Sequence, residues 1–125
     1  VKYSALTQHY FEATPGAGVL EGSDVFHGEA GARARGTWVR FDLKVQSSAS
    51  GEKSIAAARF LAFGCPHVIA VAAFIAERAT GLAVRPALPE TLDVLRDRFQ
   101  VPIEKLGRLF IVEDAWIAAA RAAAA

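Results

Sequence analysis

Nine consecutive apolar residues, Val68 to Ala76, stand in the middle of the chain and restrict its fold more than any other stretch. A membrane-spanning helix needs about 18 or more such residues, so this run predicts no span. It reads instead as a helix over Val68 to Ala79, apolar on nearly every side until Glu77 and Arg78. A helix without a polar face has to be surrounded by the rest of the fold. Gly64-Cys65-Pro66-His67 precedes it, and a proline in the first helical turn is well tolerated. Thr80-Gly81 closes it, and Pro86 and Pro89 bracket the loop that follows.

The segment before this helix supplies a surface to bury it. From Thr37 to Val45, Val39, Phe41, Leu43 and Val45 alternate with Trp38, Arg40, Asp42 and Lys44. That period of two predicts a strand with one buried and one wet face. After a Ser/Gly-rich turn over Gln46 to Lys53, a second strand is expected from Ser54 to Phe63. Its residues Ile55, Ala57, Arg59, Leu61 and Phe63 oppose Ala56, Ala58, Phe60 and Ala62. A short polar loop between two such runs points to an antiparallel hairpin. Val19 to Gly31 patterns less clearly, and Val25, Phe26 and Ala30 fit one irregular, glycine-rich edge strand.

Helices flank this sheet in sequence. Ser4 caps a short helix to Phe11, with Tyr3, Leu6, Tyr10 and Phe11 on one face. Glu90 to Phe99 is amphipathic, with Leu92, Leu95 and Phe99 inward. Val101-Pro102 breaks the chain again. Lys105 to Ala125 predicts a last helix, interrupted near Gly107 and fraying in its alanine tail. Strands first and helices later argue an α+β fold, with a small antiparallel sheet of about three strands packed against the C-terminal helices. A chain of 125 residues fits one domain over residues 1–125.

Composition narrows the function classes. Hydrophobic residues at 53% and charged residues at 22% exclude a disordered chain. The net charge of +1 argues against wholesale binding of nucleic acid, and Arg33-Ala34-Arg35 is too short a basic run, with no interleaved aromatics, to restore it. The single cysteine, Cys65, rules out an internal disulfide and any four-cysteine metal site from one chain. A lone thiol, with no leader-like pattern in Val1-Lys2-Tyr3-Ser4, predicts a soluble cytoplasmic protein. Glu113 and Asp114 are adjacent, so on a helix they diverge and form no acid–base pair. No phosphate-binding glycine loop and no nucleophile-elbow serine is present.

Several strings, in order along nearly the whole chain, resemble the NifU/IscU family of iron–sulfur cluster assembly scaffolds. They are Tyr3-Ser4 with His9-Tyr10-Phe11, the Pro15 and Gly18 turn, and Gly28-Glu29-Ala30-Gly31. Ala58-Arg59-Phe60, Phe63-Gly64-Cys65 and Ile69-Ala70 are similar to the family's "ARFxxxGCxxxIA", the most specific of the set. Gly81 falls at its "GK" loop, and Glu113-Asp114-Ala115 looks like its closing "EDA". The resemblance implies a scaffold that is not an enzyme. It implies bound iron or an iron–sulfur cluster, and protein partners: a cysteine desulfurase, a chaperone and a cluster acceptor.

The departures bear on the site. The family holds its cluster or zinc with three cysteines, an aspartate and sometimes a histidine. By the resemblance, Cys65 is the middle cysteine, Arg35 stands for the first, Thr37 for the aspartate and Arg108 for the third. The chaperone motif "LPPVK" corresponds to Val101-Pro102-Ile103-Glu104-Lys105. A guanidinium has no lone pair to give a metal, so the isolated monomer is expected to carry no cluster. Cys65 would ligate metal only with donors from a partner, and a homo-oligomer pooling cysteines and histidines is one such arrangement. With Cys65 at a helix start and Arg35, Arg108 and His67 as its expected pocket, a second reading is a thiol-dependent binder of a small anion or persulfide. A third is a structural interaction module in which Cys65 merely packs.

Overall fold

The computed structural model describes residues 2–125; Val1, the first residue of the Val1-Lys2-Tyr3-Ser4 stretch, lies outside them. Three strands form one antiparallel sheet in the order β1 (Val25–Ala32), β2 (Thr37–Ser47), β3 (Lys53–Phe63). Four α-helices accompany it: α1 (Ala5–Ala13), α2 (Pro66–Ala79), α3 (Leu92–Phe99) and α4 (Leu106–Ala124). Both α2 and α4 lie on the sheet, α4 over β1 and β2 and α2 over β3. This is the expected α+β arrangement. The glycine-rich stretch that patterned poorly is a full strand, Val25–Ala32, paired along its whole length with β2.

The glycines of β1 explain its weak pattern. A Cβ on Gly28 would stand 2.1 Å from the backbone nitrogen of Ala119, so this position lets α4 lie directly on the strand. The facing side of α4 is alanine-rich, and Ala115, Ala119 and Ala123 are fully buried there. The expected interruption near Gly107 does not occur: a one-turn 3-10 segment over Ile103–Lys105 leads straight into α4. Nor does the alanine tail fray, for α4 runs to Ala124. Lys53 reaches its last free carbonyls, donating to Ala123 O at 3.2 Å and Ala125 O at 3.3 Å.

Strand β3 departs from strict alternation. Lys44 pairs with Ala57 but Val45 pairs with Ile55, so Ala56 forms a bulge. The extra residue shifts the phase by one. Ile55 therefore shares the buried face with Ala58 and Phe60, opposite Val45, Leu43 and Phe41. On the other face, Asp42 is buried although its alternation marked it as wet. It pairs with Arg40 Nε at 2.8 Å and accepts from the Leu20 N–H at 3.0 Å, pinning the segment after α1 across the sheet. The free edge of β3 is also covered. Phe60 exchanges hydrogen bonds with Gly16 and Gly18, and Ile55 with Gly81 and Leu82.

Helix α2 is the centre of the core, with Val68, Ala70, Val71, Ala72 and Ala73 fully buried. Helix α1 packs on it through Tyr10, whose ring meets Phe74 edge-on at 5.3 Å. Its inward face is Tyr3, Leu6, Thr7 and Tyr10; Phe11 is exposed. Thr7 takes the inward place by donating its hydroxyl to Phe99 O at 2.8 Å, which ties α1 to the end of α3.

Candidate functional site at Cys65

The hairpin and α2 meet at Gly64-Cys65. Strand β3 ends at Phe63, and Cys65 is the N-cap of α2, with Pro66 in the first turn. The backbone at Cys65 is extended (φ −75°, ψ 166°), as at an ordinary N-cap, and no side-chain capping hydrogen bond closes there. The thiol is half-buried. The turn between β1 and β2 comes close: a Cβ on Gly64 would lie 3.6 Å from Gly36 O.

Opposing influences act on this thiol. Half-burial pushes its pKa up, while the Val68 N–H, the Arg108 guanidinium, the His67 N–H and the Lys105 ammonium pull it down. The second set prevails, and Cys65 ionises more readily than an ordinary thiol. Arg108, itself exposed, bears on the thiol from the first turn of α4, and Lys105 from the 3-10 segment just before.

His67 is buried, 2% exposed, beneath the same cations. Lys105 Nζ lies 3.3 Å from its Nδ1. An ammonium can only donate, so Nδ1 accepts and the ring proton sits on Nε2. Burial first, then the charges of Lys105 and Arg108, hold the imidazole pKa below its usual value. Tyr3 closes the cluster, its ring 4.8 Å from that of His67 and 5.6 Å from Lys105 Nζ.

The structure thus brings Cys65, His67 and Arg108 together and adds Lys105, which the sequence marked only as part of a chaperone-like motif. The spacing of Lys105 and Arg108, three residues, was the available signal, because such pairs share one side of a helical path. Arg35 is exposed on the one-turn segment Arg33–Arg35 and is not among the cations that bear on the thiol. Its neighbour Arg33 stacks on Trp38 at 4.8 Å. Thr37 is buried, 6% exposed, at the start of β2. Of the motif-like stretch, Val101 is buried, Pro102 and Lys105 are half-buried, and Glu104 and Ile103 are exposed, Ile103 to 73%.

A family profile described as the NifU-like N-terminal domain matches residues 2–123, nearly the whole chain. The chain belongs to the NifU-like N-terminal domain family. Among solved structures, this NifU-like chain is similar to a protein of thermophilic Fervidobacterium islandicum AW-1 assigned as an iron–sulfur cluster assembly scaffold for the SUF system. The TM-score is 0.66 at 13% identity, over 94% of this chain and 96% of that one, a likeness of fold. No curated protein matches the sequence. The NifU-like family to which the chain belongs is one of non-enzymatic iron–sulfur assembly scaffolds.

The donor set does not fit the family's cluster or a zinc ion. Such sites need about four thiolate, imidazole or carboxylate donors. Among the described residues no three His, Cys, Asp or Glu side chains converge on one point. At Cys65 the neighbouring positions carry Arg108 and Lys105, and the one nearby imidazole already accepts from Lys105. Among the described residues, no helix is long and apolar enough to cross a membrane.

Proposed function

We propose that this NifU-like protein is an accessory or regulatory member of the assembly machinery rather than a cluster carrier. It keeps the scaffold shape that protein partners recognise and presents an ion-attracting thiol where a carrier presents its ligands. The carrying observation is the replacement of donors by cations around Cys65, where Arg108 and Lys105 favour an anion over a metal ion. The partners belonging to this reading are proteins: a cysteine desulfurase, a chaperone or a cluster acceptor. A reducing, cytoplasmic setting suits the lone thiol. Anaerobic incubation with ferrous iron and sulfide, followed by chelation and iron counting on monomeric fractions, tests it. The expected result is no retained iron; a stoichiometric, chelator-resistant cluster on the monomer overturns the reading.

A second reading is favoured by the lowered thiol pKa. Cys65 as thiolate would attack the terminal sulfur of a partner's cysteine persulfide. A new S–S bond forms on Cys65, the partner's S–S bond breaks, and the partner leaves as thiolate. The persulfide proton stays with the transferred sulfur, and no external oxidant is needed. Arg108 and Lys105 would stabilise the anions on either side of the transfer. Incubation with a persulfidated low-molecular-weight thiol and intact-mass measurement would show a gain of one sulfur, lost in Cys65→Ala.

A further inference from the structure

A cleft of about 350 Å³ lies at the other end of α2, between the loop that follows the helix and α4. The 14 residues of α2 separate it from Cys65 by roughly 20 Å at 1.5 Å per residue. Its lining mixes polar atoms with the apolar side chains of Leu82, Ala83, Ala87, Leu88 and Pro89 and an edge of the almost wholly buried Trp116, and Arg85 is the one charged group among them.

The walls are held before any ligand arrives. The loop start is hydrogen-bonded to β3, with Ile55 N donating to Leu82 O at 2.8 Å and Val84 N to Lys53 O at 3.1 Å. The loop end is fixed by Trp116 Nε1, which donates to Ala87 O at 2.8 Å, while the indole packs edge-on against Phe41 at 5.3 Å. Pro86 and Pro89 stiffen the stretch between.

The polar chemistry is one-sided. Trp116 has spent its only donor on Ala87. Glu90, the carboxylate beside Pro89, is engaged by Arg98 at 2.9 and 3.0 Å. Arg85 is exposed and, among the described residues, forms no ion pair. The cleft therefore offers several apolar side chains and one charged lining residue, Arg85, that has no ion-pair partner among the described residues.

We propose that this cleft binds a small amphipathic carboxylate, its chain against Leu88, Leu82 and the edge of Trp116 and its head group on Arg85. A guanidinium receives a carboxylate in a two-point, planar geometry that neither an alcohol nor an amine can match. A volume of about 350 Å³ is at the small end of ligand sites and suits a chain of roughly six to ten carbons.

The test follows the two tryptophan indole N–H resonances of the intact protein by NMR during titration with octanoate, octan-1-ol and octylammonium below their micellar range. Trp116 lines the cleft, and Trp38 sits on the far face of the sheet as an internal control. Octanoate should shift Trp116 saturably and leave Trp38 unmoved, with the alcohol and the amine at least tenfold weaker. Arg85→Ala, a surface change, should weaken octanoate at least tenfold, and Arg85→Lys should recover part of it. No shift of Trp116, a shift of both indoles, equal affinity for the amine, or undiminished binding in Arg85→Ala overturns the proposal.

Discussion

Lys105 sets its ammonium 3.3 Å from Nδ1 of His67, so a fixed positive charge faces an imidazole that is itself almost wholly buried. Protonating that ring would bury a second positive charge beside the first, with Arg108 also near. His67 therefore stays neutral in the folded protein at pH values where a free histidine has charged.

This arrangement predicts a pH dependence of stability. The folded pKa of His67 is below the unfolded value of about 6.5. Above that pH both states hold the neutral ring. As the pH falls from about 6.5 toward the folded pKa, the unfolded state takes up a proton that the folded state refuses, and stability is lost. Denaturant unfolding at successive pH values should show this decline. His67→Gln, which can still accept from Lys105, should flatten it; an unchanged slope in that variant would refute the assignment.

Cys65 should alkylate faster near neutral pH than a free thiol of equal exposure, and the cations should be the cause. Arg108→Ala and Lys105→Ala are each expected to slow iodoacetamide modification at pH 7 by roughly two- to tenfold, by raising the thiol pKa. Arg35→Ala should leave the rate unchanged, because that side chain is not among the groups that lower the thiol pKa. Rates insensitive to Arg108 and Lys105 would reduce Cys65 to a packing residue.

Restoring donors should restore metal binding if the three positions belong to one pole of the fold. The approach of Gly36 O to Gly64 places the Arg35–Thr37 turn beside Cys65, and the Arg108 charge bears on the thiol from the start of α4. Arg35→Cys, Thr37→Asp and Arg108→Cys combined should bind zinc at one ion per chain, whereas the parent binds none after dialysis against a chelator. Elemental analysis of both proteins, at matched helical content, decides the matter. A metal-free triple variant would mean that these positions do not converge.

Gly28→Ala should be among the most damaging single changes away from the site. The added carbon would meet Ala119 N at 2.1 Å and Ala118 C at 2.5 Å, both backbone atoms of α4 that cannot rotate aside. A loss of about 3 kcal/mol is expected, the upper part of the range for overpacking. Urea unfolding measures it. A loss below about 1 kcal/mol would show that α4 rides on β1 more loosely than this contact implies.

The amino-acid pattern by itself determined the element types, the antiparallel hairpin and the central place of α2. Those features follow from local periodicity: alternation in Val39, Phe41 and Leu43, and an apolar surface all round from Val68 to Ala76. Cys65 at a helix start was legible for the same reason, because a strand, a glycine and a proline in order leave little else. Tertiary structure decided the rest. Strand β1 was obscured because its glycines answer to the approach of α4, a partner far away in sequence. The bulge at Ala56 moved Ile55 onto the buried face through its register with Val45, which no single strand encodes. At the site, Arg108 and Lys105 became neighbours of the thiol while Arg35 did not. The first two ride on the 3-10 segment and the first turns of α4, whereas Arg35 sits on a turn that meets Gly64 through backbone and points its charge to water. Local periodicity fixes which side of an element is apolar; which elements meet, and which side chains then share one small space, depends on packing between residues tens of positions apart.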